Sequence, residues 1–340
     1  MRTLRSVGEL RAALAPHRRA GATIGLVPTM GALHEGHLSL IRRARERCDV
    51  VVVSLFVNPS QFNERSDLER YPRSEERDAA LTAQAGVDVL FAPSVEEVYP
   101  PGFATSVEVL DVTTARLEGE ARGAAHFRGV CTVVTKLLCM TQPDVAYFGQ
   151  KDAQQVVVIR RLVTDLNLPV RIETCPTVRE PDGLAMSSRN ALLDPDERER
   201  ALALPAALRA AAELSGAGER SAEVLLQTAG DGLARFGVEP EYLAIVDPDT
   251  FAALHRLDRP ALLVLAARVG DVRLIDNALL EPAAVETVST EAQGGCRERH
   301  GRSGDQTPDH PGAPGFGIAV TGSSRSTHRQ PQGEPITCSA

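Results

Sequence analysis

Between Thr23 and Cys175, short runs of apolar and β-branched residues alternate with amphipathic stretches of helical period, which leaves few possible architectures. The clearest run is Asp49-Val-Val-Val-Val-Ser-Leu-Phe-Val57, apolar from Val50 onward except at Ser54. A strand with one wet face would alternate apolar and polar residues, so this run predicts a strand covered on both faces. Other strands are predicted at Thr23–Val27, Val87–Ala92, Asp144–Phe148 and Arg171–Cys175, with an edge element at Thr105–Leu110. Helices are predicted over Gly36–Arg47, Ser74–Ala85, Arg128–Met140 and Ala153–Leu166. Alternation of this kind specifies an α/β fold with a doubly wound, Rossmann-like parallel sheet.

After Arg189 the pattern changes. Two helices, about 195–214 and 220–236, precede strands at Tyr242–Val246, Ala261–Ala267 and Val272–Ile275, which predicts a smaller α+β unit. The boundary falls between 176 and 190. From Glu291 to Ala340 nine glycines and five prolines interrupt the chain, and the only apolar cluster is Phe316–Val320. Such a segment buries too little apolar surface to offset its ordering entropy, so a disordered tail is expected.

Five acids balance five arginines in that tail, so the net charge of −8 belongs to the preceding residues. An acidic balance argues against a general nucleic-acid or anionic-membrane binder. No apolar run approaches the ~18 residues of a membrane helix. Met1–Arg5 lacks a secretory h-region, and Cys48, Cys131, Cys139, Cys175, Cys296 and Cys338 form no C-x-x-C pair. A cytoplasmic protein with reduced thiols is expected.

The segment richest in chemistry is Val27-Pro-Thr-Met-Gly-Ala-Leu-His-Glu-Gly-His37, between the first predicted strand and helix. Loops at that position of an α/β sheet bind phosphorylated ligands. His34 and His37 share a face if the helix begins there, Gly31 and Gly36 allow close backbone approach, and a helix N-terminus offers free N–H groups. The imidazoles can donate hydrogen bonds or, when protonated, neutralise phosphate charge. An isolated H-x-x-H is more often structural, and a zinc pair has no cysteine or third histidine nearby in sequence. Arginine supplies nearly all the basic residues: Lys136 and Lys151 are the only lysines. Lys151 lies in Gly149-Gln-Lys-Asp152 at a strand end, where it can hold phosphate oxygens or stand solvated beside a capping Asp152. Asn58, Gln61 and Tyr71 follow the second strand, and read alone they are turn chemistry. Met186-Ser-Ser-Arg189 pairs two hydroxyls with a guanidinium fork, a pattern also common in ordinary loops. No P-loop or G-x-G-x-x-G fingerprint is present.

Pro28-Thr-Met-Gly-Ala-Leu-His-Glu-Gly-His-Leu-Ser-Leu40 resembles the signature loop of the pantoate–β-alanine ligases, members of the H-x-G-H nucleotidyltransferase superfamily. Segments Ser54–Phe62, Asp67–Arg73, His126–Gly129, Phe148–Gln155 and Met186–Asn190 agree with that family in order, and the similarity extends to about Leu280. The resemblance implies ATP-dependent condensation of pantoate with β-alanine through a pantoyl adenylate, releasing AMP and pyrophosphate. It also implies ATP as co-substrate, Mg²⁺, and a homodimer. His34, His37, Lys151, Ser187, Ser188 and Arg189 would be catalytic, with His37 the proton donor. The nucleotide would meet Met30, Gly31, Ala32, Leu33, Glu35, Gly36, Gly149, Gln150, Asp152, Val178 and Met186. Gln61, Gln155, Asn58 and Tyr71 would bind substrate, with Met30 and Val133 against the gem-dimethyl group of pantoate. Residues 1–180 would form the ATP/pantoate domain, 181–288 a lid, and 289–340 the tail. Ala153 replaces a usual aromatic, and Leu117–His126 is one residue longer than the family form, leaving the role of Arg122 open. Rival readings are another H-x-G-H nucleotidyltransferase acting on a phosphorylated substrate, or a non-catalytic nucleotide-binding module.

Overall fold

A computed structural model describes residues 1–62, 68–69, 71–110 and 112–282. The expected disordered tail, 289–340, lies outside them. Six strands, β1 (Arg2–Leu4), β2 (Ile24–Thr29), β3 (Val50–Leu55), β4 (Val89–Phe91), β5 (Val145–Gly149) and β6 (Arg171–Cys175), form a parallel sheet ordered β1-β4-β3-β2-β5-β6. β2 and β3 pair in register from Ile24 opposite Val50 to Thr29 opposite Leu55. Strand side chains alternate between faces. Ile24, Leu26, Val50 and Val52 therefore enter one core, while Val27, Val51 and Val53 enter the other. Helices cover both faces, which is why Val50–Val53 is apolar throughout.

The chain runs outward from β2 through β3 and β4, whereas β5 and β6 lie on the other side of β2. The order therefore reverses between β2 and β5. At such a switch point the loops leaving the two strand ends diverge and open a crevice. A second, antiparallel sheet follows: β7 (Pro240–Val246), β8 (Ala261–Val269) and β9 (Val272–Leu280), in that order. Helices Ala203–Gly216 and Ala222–Ala234 cover it, packing Leu204, Ala207, Leu225 and Leu233 against Leu263 and Leu265.

Several features depart from the sequence reading, among them β9, which was expected to end at Ile275 and runs on to Leu280. β1 and the helix Val7–Arg19 precede the first expected strand; Ser6 and Glu9 form a capping box at the start of that helix. Thr105–Leu110 joins no ladder, and Val107 instead donates its N–H to Thr132 Oγ1 at 3.0 Å. The helix expected over 195–214 is two, Pro195–Ala201 and Ala203–Gly216. Pro205 explains the break at Leu202, because it lacks an N–H and its ring excludes the carbonyl four residues earlier.

Candidate active site

The crevice is walled by the loops after β2, β3 and β5, by residues 176–178 and 186–189, and by the second sheet through Tyr242 and Ile275 to Asn277. His34, His37, Lys151, Ser187, Ser188 and Arg189, which come from three separate segments, all line it.

His34 is the N-cap of the helix Glu35–Arg47 rather than a residue of its first turn. Its Nδ1 accepts the N–H of Gly36 at 3.1 Å, and the Nδ1 of His37 accepts the N–H of His34 at 3.3 Å. The rings pack against each other at a tilt of 43°, with centroids 4.2 Å apart. A Cβ at Gly36 would lie 2.9 Å from His34 Cε1, so that glycine accommodates the capping ring. Several N–H groups expected to be free are consequently occupied: Gly36 N by His34, and His37 N and Leu38 N by the His34 carbonyl.

Burial drives the His37 pKa down to about 3, and the neighbouring His34 and Lys151 push the same way. His34 is lowered too, by burial first and then by Lys151. Both rings are neutral near pH 7, with Nδ1 accepting and the proton on Nε2. They offer an anion hydrogen bonds instead of the positive charge that the sequence reading allowed.

On the β3 side, Asn58 is 1% exposed and fully engaged. Its Nδ2 donates to Gly129 O at 3.2 Å and to Gln61 Oε1 at 3.0 Å, while its Oδ1 accepts from Tyr99 OH at 2.8 Å. Gln61 Nε2 in turn donates to Met30 Sδ at 3.1 Å. Asn58 thus holds Gln61, and Gln61, Met30, Tyr71 and Val133 face the crevice. His126 Nδ1 lies 3.0 Å from Gln61 O, and burial, followed by Arg122, lowers its pKa to about 4.

Lys151 sits on the turn Gln150–Asp152 that ends β5, and Asp152 and Gln155 line the crevice beside it. The turn is held from the second sheet: Asn277 Nδ2 donates to the carbonyls of Gln150 and Lys151 at 2.9 and 3.0 Å. Opposite lies the 178–190 loop, closed by a bridge between Arg179 and Ala185 and by Met186 N donating to Val178 O at 2.9 Å. Arg179 grips Asp276 through two bonds of 2.6 and 3.0 Å. Burial raises the Asp276 carboxyl and Arg179 opposes that shift. Ser187 Oγ accepts Arg189 N at 3.2 Å, which turns the chain into the short helix Ser188–Leu192.

Five residues expected at the nucleotide do not line the crevice: Gly31, Ala32, Leu33, Glu35 and Gln150. Ala32 and Leu33 donate their N–H groups to Asp78, away from it. Glu35 pairs with Arg42, and the Gln150 side chain turns to Asn277. Asp78, His126 and Asn277 were not among the sequence candidates; only His126 carried a signal, in the His126–Gly129 motif.

Arg122 lines the crevice while its Nε holds Glu118 Oε2 at 2.7 Å. Glu118 also accepts from Tyr242 OH at 2.8 Å and from Arg273 at 2.6 and 3.0 Å. Burial alone would raise the Glu118 carboxyl, but Arg273, Arg122 and Tyr242 hold it at about 2.

Comparison with known proteins gives a consistent picture. The family model for pantoate-beta-alanine ligase matches residues 2–279. A pantothenate synthetase of Pelotomaculum thermopropionicum is 52% identical over 279 residues, 81% of this chain and 97% of that protein. Pantothenate synthetase 1 of Bradyrhizobium diazoefficiens is 55% identical over 281 residues, 82% of this chain and 98% of its own. The crystal structure of pantothenate synthetase from Thermus thermophilus covers 83% of this chain and 100% of that one, with a TM-score of 0.79 at 48% identity. The pantoate-beta-alanine ligase of Francisella tularensis, complexed with beta-gamma ATP and beta-alanine, covers 82% of this chain and 97% of its own, with a TM-score of 0.68 at 36% identity. Since the match runs through both sheets and every described loop that meets at the crevice, the chain belongs to the pantoate–β-alanine ligase family.

Proposed function

We infer that the chain is an ATP-dependent ligase that condenses pantoate with β-alanine to give pantothenate, AMP and pyrophosphate. The observation that carries this reading is the meeting of His34, His37, Lys151 and Met186–Arg189 on one crevice that also presents the side-chain amides of Gln61 and Gln155. Cationic and N–H donors suit a triphosphate, and the two amides suit a hydroxy acid. A phosphorylated second substrate, as in other nucleotidyltransferases, would call for cations at Gln61 and Gln155.

The reaction proceeds in two displacements. A pantoate carboxylate oxygen attacks the α-phosphorus and pyrophosphate leaves, forming a pantoyl adenylate. The amine of β-alanine then attacks the acyl carbon, AMP leaves, and the nitrogen loses a proton. In the first step an anion approaches a polyanion, so the protein contributes positioning and charge stabilisation rather than a covalent nucleophile. Lys151, Ser187, Ser188 and Arg189 hold the departing pyrophosphate, with Gly149, Asp152, Val178 and Met186 around the nucleotide. Gln61 and Gln155 fix pantoate beside Tyr71, with Met30 and Val133 against its methyl groups. His34 and His37 donate from Nε2 to phosphate oxygens. Phosphate next to His37 raises the pKa of its ring, which allows it to act as the proton donor.

Among the described residues no group of three or more His, Cys, Asp or Glu could hold a metal. Mg²⁺ rests on family resemblance and would enter with ATP. Residues 181–288 would serve as the lid, a role supported by Asn277 and Asp276 reaching the crevice from β9. The homodimer rests on family resemblance alone. AMP release, measured with pantoate in the presence and absence of β-alanine, tests the reading. Turnover needs both substrates, and sustained AMP release that ignores pantoate contradicts it.

A further inference from the structure

Asp78 is 1% exposed, yet it makes no ion pair among the described residues. Its two oxygens are taken by backbone: Oδ2 accepts Ala32 N at 2.8 Å and Oδ1 accepts Leu33 N at 2.9 Å. The loop that it grips is unusual. Gly31 and Ala32 both lie in the left-handed region, with φ of +89° and +50°. An alanine is rarely found there without a compensating restraint. Two consecutive left-handed residues turn both amides toward the carboxylate, and charge-assisted bonds of this length are strong ones.

What the loop connects gives the grip its importance. Met30, immediately before it, faces the crevice and accepts from Gln61. Leu33 is anchored at 1% exposure, and the next residue is His34, the cap whose ring packs against that of His37. Asp78 thus fixes, from behind, the segment on which the pantoate-facing and phosphate-facing groups meet.

We propose that Asp78 is a positioning residue for the adenylation step: its carboxylate clamps the Ala32 and Leu33 amides and so sets His34 and Met30 relative to the substrates. This rests on the ligase reading above. A displacement of about 1 Å in such a segment can lower turnover on the order of 100-fold.

The experiment is pantoate-dependent exchange of labelled pyrophosphate into ATP, compared across wild type, Asp78→Asn and Thr82→Ala. An amide at 78 presents one acceptor and one donor to two N–H groups, so the clamp is broken with little change of shape. Thr82, one turn along the same helix and 0% exposed, donates its hydroxyl to the Asp78 backbone carbonyl at 2.9 Å and not to the carboxylate. Its loss weakens the helix without removing the clamp's acceptors, and so supplies a control for stability loss. Asp78→Asn should lower kcat for exchange about 100-fold, with the Kd for ATP changed far less, while Thr82→Ala keeps kcat within about twofold at a comparable fall in Tm. The proposal is overturned if Asp78→Asn exchanges at the wild-type rate, or if Thr82→Ala loses as much. Should Asp78→Asn not fold, Gly31→Ala decides, since its Cβ would lie 3.0 Å from Asp78 Oδ2 and 2.9 Å from Leu55 Cδ1; wild-type turnover in that variant sinks the idea. Hydrogen exchange of the wild-type Ala32 and Leu33 amides gives a reading independent of activity: both should be strongly protected, and fast exchange contradicts the clamp. Failure of the wild type itself to exchange pyrophosphate would strike the ligase reading, and leaves these amides to judge the clamp.

Discussion

Asn277 reaches from β9 to the turn after β5 and donates to the carbonyl oxygens of Gln150 and Lys151 at 2.9 and 3.0 Å. The second sheet thereby helps set the orientation of the lysine nearest the two histidines. Asn277→Ala leaves both carbonyls without that donor, at a cost of about 1–3 kcal/mol in stability. Adenylation should fall at least tenfold, mainly through kcat. Steady-state kinetics together with thermal unfolding check this, and unchanged turnover would show that Lys151 is oriented by other contacts.

Gly129 marks a place where two backbones touch. A Cβ there would lie 2.3 Å from Ser60 O and 2.8 Å from Gln61 Cα. Alanine favours a helix interior over glycine by about 1 kcal/mol, so the helix Ala124–Thr141 itself should tolerate Gly129→Ala. The Pro59–Gln61 turn must move instead, carrying Gln61 away from Met30. KM for pantoate should rise at least tenfold while the circular dichroism spectrum keeps its helical signal; an unchanged KM would contradict the placement of Gln61 at pantoate.

Glu118 makes a prediction about acid. Its carboxyl is held at about 2 against an ordinary 4.5. A depressed carboxyl stabilises the folded state fully above the unfolded pKa, and the contribution is lost as pH falls through the folded value. Glu118→Gln should be less stable than wild type by about 3 kcal/mol near neutrality, because Arg122 and Arg273 lose a buried partner. That gap should shrink between about pH 4.5 and pH 2. Urea unfolding of both proteins across this range checks it, and a gap independent of pH would refute the network.

His37 behaves in the opposite sense to a salt-bridged histidine. Its pKa is depressed to about 3 from 6.5, so the unfolded chain binds its proton first on acidification. The folded state therefore loses stability from this group as pH drops below 6.5, down to about 3. By NMR the His37 ring should not titrate between about pH 5 and 8 in the free protein, and ATP should raise its pKa. A midpoint near 6.5 without ATP would contradict its burial.

Much of the architecture was legible because it depends on side-chain pattern alone. Val50–Val53 reads as a doubly covered strand, and β6 spans Arg171–Cys175, the bounds expected of it. β1 has only three residues, too few to show a period, and the helix break at Leu202 depends on the single ring of Pro205. At the site, the motifs brought His34, His37, Lys151 and Ser187–Arg189 to one crevice, but they could not show which loop residues turn away. Ala32 and Leu33 face Asp78, 46 and 45 residues distant, and Asn277 meets Lys151 across 126. These contacts end on backbone atoms, which look alike in every sequence, so no side-chain pattern announces them.

Oxygen transfer tests the central claim most directly. If pantoate attacks the α-phosphorus and β-alanine later attacks the acyl carbon, an oxygen of the pantoate carboxylate must leave on AMP. With pantoate labelled by ¹⁸O in its carboxylate, mass spectrometry should find one label in the AMP formed for each pantothenate made. AMP free of label, or ADP and phosphate as the nucleotide products, would contradict adenylation.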